Sequence, residues 1–388
     1  MTLAQLAARS LRRLRAALHV SAMLRSLLCL AALVVASTSP ALAQISLTDD
    51  LRLDLAGGVQ PRLSVGVEED EAASGDENEV RYGFGLRRAR IQARVLYRDI
   101  AGVEYDVGGA SGNIESVDLF AFANLTREVQ ARVGYFPVAQ PAGGILTPYF
   151  LIDAVDRAAI DERWLSGTLG GDGRDLGADV TYATQNVTAS LAVHNGFGTF
   201  QRGTNNFREG ISGNDVVNGI ETPGLAVSSV LTYDAGNGIE AGLYAGYNGA
   251  NPDRTDRGEG GRDYSSAGAH LYWGEYPGDQ PFRAKLDAIV LSYSDDGDGR
   301  EDQVGLSAFG AARVLGHGEA FFRAERYWTD VNVEDTADDF LTAGVSYSPS
   351  AARGAPYHRA RLTLAYHYRT SALLDEAHLV VLQGQLAF

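Results

Sequence analysis

The sequence has almost no cysteine, almost no lysine and no long apolar run outside its first 43 residues. Its single cysteine, Cys29, lies within an N-terminal apolar stretch, so the rest of the chain has no thiol for a disulfide. That excludes a small stapled secreted scaffold, and stability has to come from an extensive hydrogen-bonded structure. Lys285 is the one lysine, so nearly every cation is a guanidinium. No later stretch approaches the ~20 apolar residues of a membrane-crossing helix. This excludes helical spans only, because barrel strands show lipid every second residue.

Catalytic and metal signatures are also missing. No G-x-S-x-G, H-E-x-x-H or P-loop pattern occurs. His194, His270, His317, His358, His367 and His378 are scattered along the chain. The acidic run DDGDGRED lacks the spacing of a calcium loop. The chain is therefore read as a non-enzyme with no cofactor and no metal.

What is present begins with residues 1–43. Arg9, Arg12, Arg13, Arg15 and Arg25 form a basic stretch without an acid, followed by the apolar run Leu27 to Ala36. Ala41-Leu42-Ala43 then supplies a small-x-small cleavage pattern before Gln44, so residues 1–43 read as a secretory signal peptide. Met23 offers a second start with a more ordinary signal. Taking five arginines from 33 basic residues leaves 28 against 49 acidic ones, a net charge of −21 for residues 44–388. Nucleic acid is excluded as a partner at that charge.

Residues 44–388 alternate with period two. In LRLDLAGGVQPRLSVGV, Leu51, Leu53, Leu55, Val59, Leu63, Val65 and Val67 share one parity, while Arg52, Asp54, Gln60, Arg62 and Ser64 share the other. RARIQARVLY, GIEAGLYAGY and RARLTLAYHY repeat the pattern, which is the strand signal. About sixteen strands are expected, near 51–67, 81–97, 101–108, 115–125, 128–136, 174–183, 187–194 and 224–233. The others fall near 238–248, 264–274, 281–293, 303–314, 319–328, 339–348, 358–369 and 378–388. Both parities carry apolar residues at 115–125 and 339–348. Connections after even strands are mostly tight; those after odd strands are often long and polar. Short turns on one rim, long loops on the other and an even strand count predict a closed antiparallel transmembrane β-barrel. Both termini then fall on the short-turn, periplasmic rim. A soluble sandwich would need an apolar core between sheets and no rim asymmetry.

Charge follows the same parity. Arg62, Arg88, Arg90, Arg94, Arg132, Arg359, Arg361 and Arg369 point away from lipid, as do Asp54, Glu104, Asp106, Asp118, Glu240, Asp287 and Glu325. An arginine on the lipid face would cost about 2–4 kcal/mol near the midplane, so the parity argues for a water-filled interior. Guanidinium groups suit anions; pairing with the inward acids is the bland alternative. Seven acids in EEDEAASGDENE (68–79) read as a solvated loop tip, or as a divalent-cation bridge to lipopolysaccharide.

Residues 137–173 form the longest stretch without period two. Tyr149, Phe150, Leu151, Ile152 and Trp164 make it too apolar for solvent, and a long loop in a compact protein is commonly functional. We expect it to fold into the barrel as a constriction loop, with Arg157, Asp161, Glu162 and Arg163 at the narrowest passage.

Several segments together resemble the phosphate-selective porin O and P family of Gram-negative outer membranes. They are GGVQPRLSVG (57–66), LRRARIQARVLYRDIAGVEYDV (86–107), VQARVGYFPVAQPAGG (129–144), AIDERW (159–164), GRDLGADVTY (173–182) and AVHNGFG (192–198). The resemblance implies a sixteen-stranded, trimeric channel for anions such as phosphate, located in the outer membrane. Arg88, Arg90 and Arg94 match the family's arginine-rich strand, and Phe388 matches a terminal signal read by the outer-membrane assembly machinery. The single lysine and acidic surplus depart from the phosphate pattern, so phosphate is a candidate only. The alternatives are a general or cation-tolerant porin, a barrel enzyme with a Ser–His arrangement at the wall, and an adhesin whose pore is plugged by 137–173.

Overall fold

The computed structural model describes residues 43–68, 79–110, 113–144, 146–168, 173–194, 226–249, 262–274, 276–278, 280–295, 300–314, 316–371 and 376–388. The expected signal segment lies almost wholly outside them, as do the acidic tip over 69–78 and the loops over 195–225 and 250–261.

Backbone polar groups inside a bilayer have no water to bind, so a sheet that spans it has to close. The alternating segments do this. β1 (Ala43–Ser46) is a short outer strand; the barrel starts with β2 (Leu51–Glu68), β3 (Glu79–Tyr97), β4 (Ala101–Ala110), β5 (Asn113–Asn124) and β6 (Val129–Pro137). It continues through β7 (Arg174–Ala183), β8 (Val187–His194), β9 (Ala226–Gly236), β10 (Ile239–Asn248), β11 (Arg262–Trp273) and β12 (Phe282–Asp295). β13 (Glu301–Val314), β14 (Gly318–Trp328), β15 (Ala337–Tyr347), β16 (Ala360–Ser371) and β17 (Ala377–Ala387) complete it. Each strand pairs antiparallel with the next, and β17 pairs with β2, so sixteen strands form a closed barrel.

The seam is tight. Gln383 faces Arg62 and Ala387 faces Gly58 across it. Beyond β17, Phe388 and Gly57 exchange both backbone hydrogen bonds, at 2.9 and 3.0 Å. A Cβ on Gly57 would stand 2.6 Å from the Arg90 carbonyl oxygen and 2.9 Å from the Phe388 ring, so only glycine fits. Below this point β1 takes over the edge of β2, with Ala43 opposite Leu55.

Outward residues form an apolar belt, including Ile91, Leu119, Val133, Leu191, Leu243, Leu286, Phe322 and Val345, all exposed. Tyr97, Tyr182, Tyr233, Trp273, Phe282 and Tyr347 ring its short-turn end, as an interfacial aromatic girdle would. One exception to the charge parity is outward Arg326, paired with Asp339 at 3.3 Å and lying over the Trp328 ring. It sits near the loop ends of β14 and β15, where a lipid-facing charge costs only about 0–1 kcal/mol.

The interior is not simply water-filled. Residues 138–144 and 146–158 turn into the barrel and lead into α1 (Ala159–Thr168). Phe120, Phe122 and Phe136 on one wall join Ile160 and Trp164 of this segment and Tyr244, Ile289 and Tyr327 beyond it in one apolar cluster. A second cluster packs Ala154 and Val155 against Phe309, Phe321, Ala365 and Val381. These inward apolar residues account for the mixed parity around 115–125.

Candidate functional site

The inserted segment divides the lumen, and most polar side chains around it are committed to holding it. Asp156 receives Arg62 of β2 at 2.9 Å and Arg87 of β3 at 2.7 Å. Burial opposes its ionisation, but the two guanidinium groups outweigh burial and hold its carboxyl below the ordinary carboxylate range. Asp153 meets Lys285 at 3.0 Å and also Arg283 of β12. From β14, Arg323 donates to the carbonyl oxygens of Asp156 and Arg157 at 3.1 and 2.9 Å. Glu325 of β14 accepts the first N–H groups of α1, from Ala159 and Ile160. Arg163 reaches Asp338 of β15 at 2.7 Å.

A bulge makes part of this possible. Gln60 faces Arg88, but the next residue, Pro61, faces Leu86, so Arg87 is extra on β3. Consecutive residues Arg87 and Arg88 both turn inward as a result. Strict alternation hides Arg87, although a proline within a strand marks a break in the ladder. Asp153, Asp156, Arg174, Arg283 and Arg323 were also missed, because their roles depend on a loop whose path period two does not describe.

The remaining inward arginines gather on β3, β6 and β7. Arg94 pairs with Glu104 (Nε–Oε2 2.7 Å), Arg174 with Asp118 at 2.7 Å, and Arg90 loosely with Asp106 at 3.6 Å. Arg132 is locked onto Asp179 by two nitrogens. Two guanidinium groups differ. Among the described residues Arg88 bonds only Gln60, at 3.2 Å, and Arg157 binds the carbonyl oxygens of Gly143, Gly144 and Thr147. No carboxylate among the described residues pairs with either. Burial pushes the Arg157 guanidinium down to about 10, Asp161 opposing and Arg90 and Arg174 adding to the effect.

Four expected positions come out differently. Arg361 is 1% exposed and donates to the Ile152 and Ala154 carbonyl oxygens, so it clamps the loop rather than lining a passage. Arg359 precedes β16 and lines a cavity of about 370 Å³ near the short-turn rim, with Arg90, Arg157, Arg174 and Phe388. Within the loop, Glu162 and Arg163 reach open space, whereas Arg157 and Asp161 turn behind it toward the wall. Helical geometry separates them: Asp161 and Arg163 on α1 cannot face the same side.

A Ser–His–Asp chain also exists, at the loop ends of β7, β8 and β9. Asp175 Oδ2 lies 2.9 Å from His194 Nδ1, and His194 Nε2 lies 3.2 Å from Ser228 Oγ. The order is that of a hydrolytic triad. Yet Asp175, His194 and Ser228 are 2%, 1% and 2% exposed, and cross-strand pairing explains the row they form.

A long hairpin-built wall, a closed seam and a segment folded into the lumen define an architecture found among solved structures. An anion-selective porin from Comamonas acidovorans superposes with TM-score 0.61 at 14% identity, over 87% of this chain and all of that one. The trimer form of OmpT, an outer-membrane protein of Vibrio cholerae, gives 0.55 at 11% identity over 88% of this chain and all of its own. OprB of Pseudomonas putida gives 0.53 at 10% identity over 86% and 94%. This chain has the porin fold. No family model and no curated protein sequence matches it. The porin fold therefore rests on architecture, and sequence adds the local resemblances only.

Proposed function

We propose that the protein is an outer-membrane porin through which small hydrophilic solutes diffuse passively, with a preference for small anions. The observation that carries this reading is Arg88, a guanidinium group beside the inserted loop that no described carboxylate neutralises. Fixed cationic charge in a narrow low-dielectric passage raises the local concentration of anions. The likeness to a porin described as anion-selective supports the same sign. Phosphate is a candidate solute because a guanidinium binds it bidentately. No catalytic step is part of this function.

The assembly is read as a homotrimer, with both termini periplasmic and the acidic loop over 68–79 meeting lipopolysaccharide through divalent cations. Residues 1–43 are read as the cleaved signal, and Phe388 as the signal for the outer-membrane assembly machinery. Deleting Phe388 should lower the yield of inserted barrels more than the conductance of each one.

Planar-bilayer recording of the refolded protein across a salt gradient tests the reading. A reversal potential of anion-selective sign is expected. Absence of conductance sinks the porin reading, and a cation-selective sign favours a general, cation-tolerant pore.

A further inference from the structure

Between the inserted loop and the inner face of β11–β14 lies a small cavity of about 30 Å³. One water needs about 10–15 Å³ and two or more polar partners. Both conditions are met, since Asp161 Oδ1 and Arg157 Nε line the cavity, are buried, and have no hydrogen-bond partner among the described residues. Buried polar atoms in native proteins are almost always satisfied, commonly by water.

Among the described residues no cation bonds Asp161, and Arg157 and Arg323, which lie near it and oppose the effect of burial, are committed elsewhere. On the loop, Arg157 gives its terminal nitrogens to Gly143, Gly144 and Thr147, and Asp153 is taken by Lys285 and Arg283. From β14, Arg323 meets Glu325 at 2.6 Å. From β11 and β12, Tyr272 donates to Asp287, and His270 flanks that carboxylate. Asp161 thus faces Asp287 and Glu325, two like charges, from a buried position. Burial, then these two groups, push its carboxyl well above the ordinary range.

We propose that this cavity holds ordered water joining Asp161 to the barrel wall, and that seating the loop keeps a proton on the Asp161 carboxyl. A carboxyl whose proton is held more tightly in the seated state favours seating at low pH. That contribution is lost as pH rises through its raised value. The loop is then a latch that loosens in alkali. The inference needs the closed barrel and the inserted loop, and does not depend on transport.

The test is tryptic cleavage at Arg157 and Arg163 in the folded full chain, from about pH 5 to about pH 9, with Asp161→Asn as the reference at each pH. That reference cancels the protease's own pH dependence. The wild-type to D161N cleavage ratio should rise several-fold toward alkaline pH, and D287N should flatten the rise. A ratio that stays level overturns the latch. A high-resolution crystal structure should show density bridging Asp161 and Arg157, and a dry cavity overturns the water. Cleavage is read without any current, so a failure to conduct strikes the porin reading and leaves this result standing.

Discussion

Glu325 on the barrel wall caps the helix inside the lumen, its Oε2 lying 3.3 Å from the Ile160 N–H and closer still to that of Ala159. Helix N-termini leave their first N–H groups unpaired, and a carboxylate satisfies them with favourable dipole interaction. Here the cap comes from 165 residues away in sequence. Glu325→Ala should therefore unseat the start of α1 without opening the barrel. Losing a charged cap that leaves buried donors costs about 1–3 kcal/mol. Hydrogen exchange at Ala159 and Ile160 should accelerate by roughly ten- to a hundredfold, with strand amides unchanged.

Selectivity should track unpaired charge rather than the number of arginines. Arg88→Gln removes a guanidinium that no described carboxylate cancels. A charge a few ångströms from a permeating ion in a wet passage is worth about 1 kcal/mol, so anion over cation permeability should fall roughly fivefold in that variant. Removing a matched pair together, Arg132→Gln with Asp179→Asn, leaves the net lumen charge unchanged and should change the reversal potential far less. An equal shift from that double variant would show that selectivity does not track unpaired charge.

The barrel was legible because its physics is local: lipid outside and polar groups inside impose period two on every strand. Expected and observed limits agree within a few residues, as for 174–183 and 187–194. The inserted loop was legible only as a break in that period. Its partners were not, because Asp156 meets Arg62 and Arg87 through a three-dimensional path that no spacing records. Arg361 shows the same limit from the wall side. Its parity says inward, but what covers it depends on where Ile152 and Ala154 lie.

Two loop carboxyls should respond to pH with opposite sign. Asp156 is held below the ordinary range by Arg62 and Arg87. Its contribution is full above about pH 3.9, the unfolded value, and is lost only as pH falls through its lowered one. Asp156→Asn should speed loop cleavage at neutral pH and converge with wild type in strong acid. It should also free Arg62 and Arg87 and so raise anion selectivity. A variant less selective for anions would mean that these arginines face away from the solute path.

Gly57 should be as sensitive as a core residue although it lies in a strand. Gly57→Ala drives a methyl into the Arg90 carbonyl and the Phe388 ring at the seam, whereas a Cβ on Gly83 meets nothing within 4 Å. Overpacking of this kind costs about 1–3 kcal/mol. The heat-modifiable, folded band on electrophoresis should shrink for G57A and not for G83A.

The Ser228–His194–Asp175 chain has the connectivity of a catalytic triad, and its burial decides its role. A nucleophilic serine has to meet its substrate carbonyl beside donors for the developing oxyanion, whereas Ser228 is 2% exposed. The chain instead ties β7, β8 and β9 together where the long loops begin. A fluorophosphonate probe should leave Ser228 unmodified in the folded barrel. Ser228→Ala should preserve conductance and cost about 1 kcal/mol, the net worth of a buried hydrogen bond. His194→Ala leaves the Asp175 carboxylate without its 2.9 Å partner and should cost more. Covalent labelling that vanishes in S228A would overturn the bracing role and reopen the question of enzymatic activity.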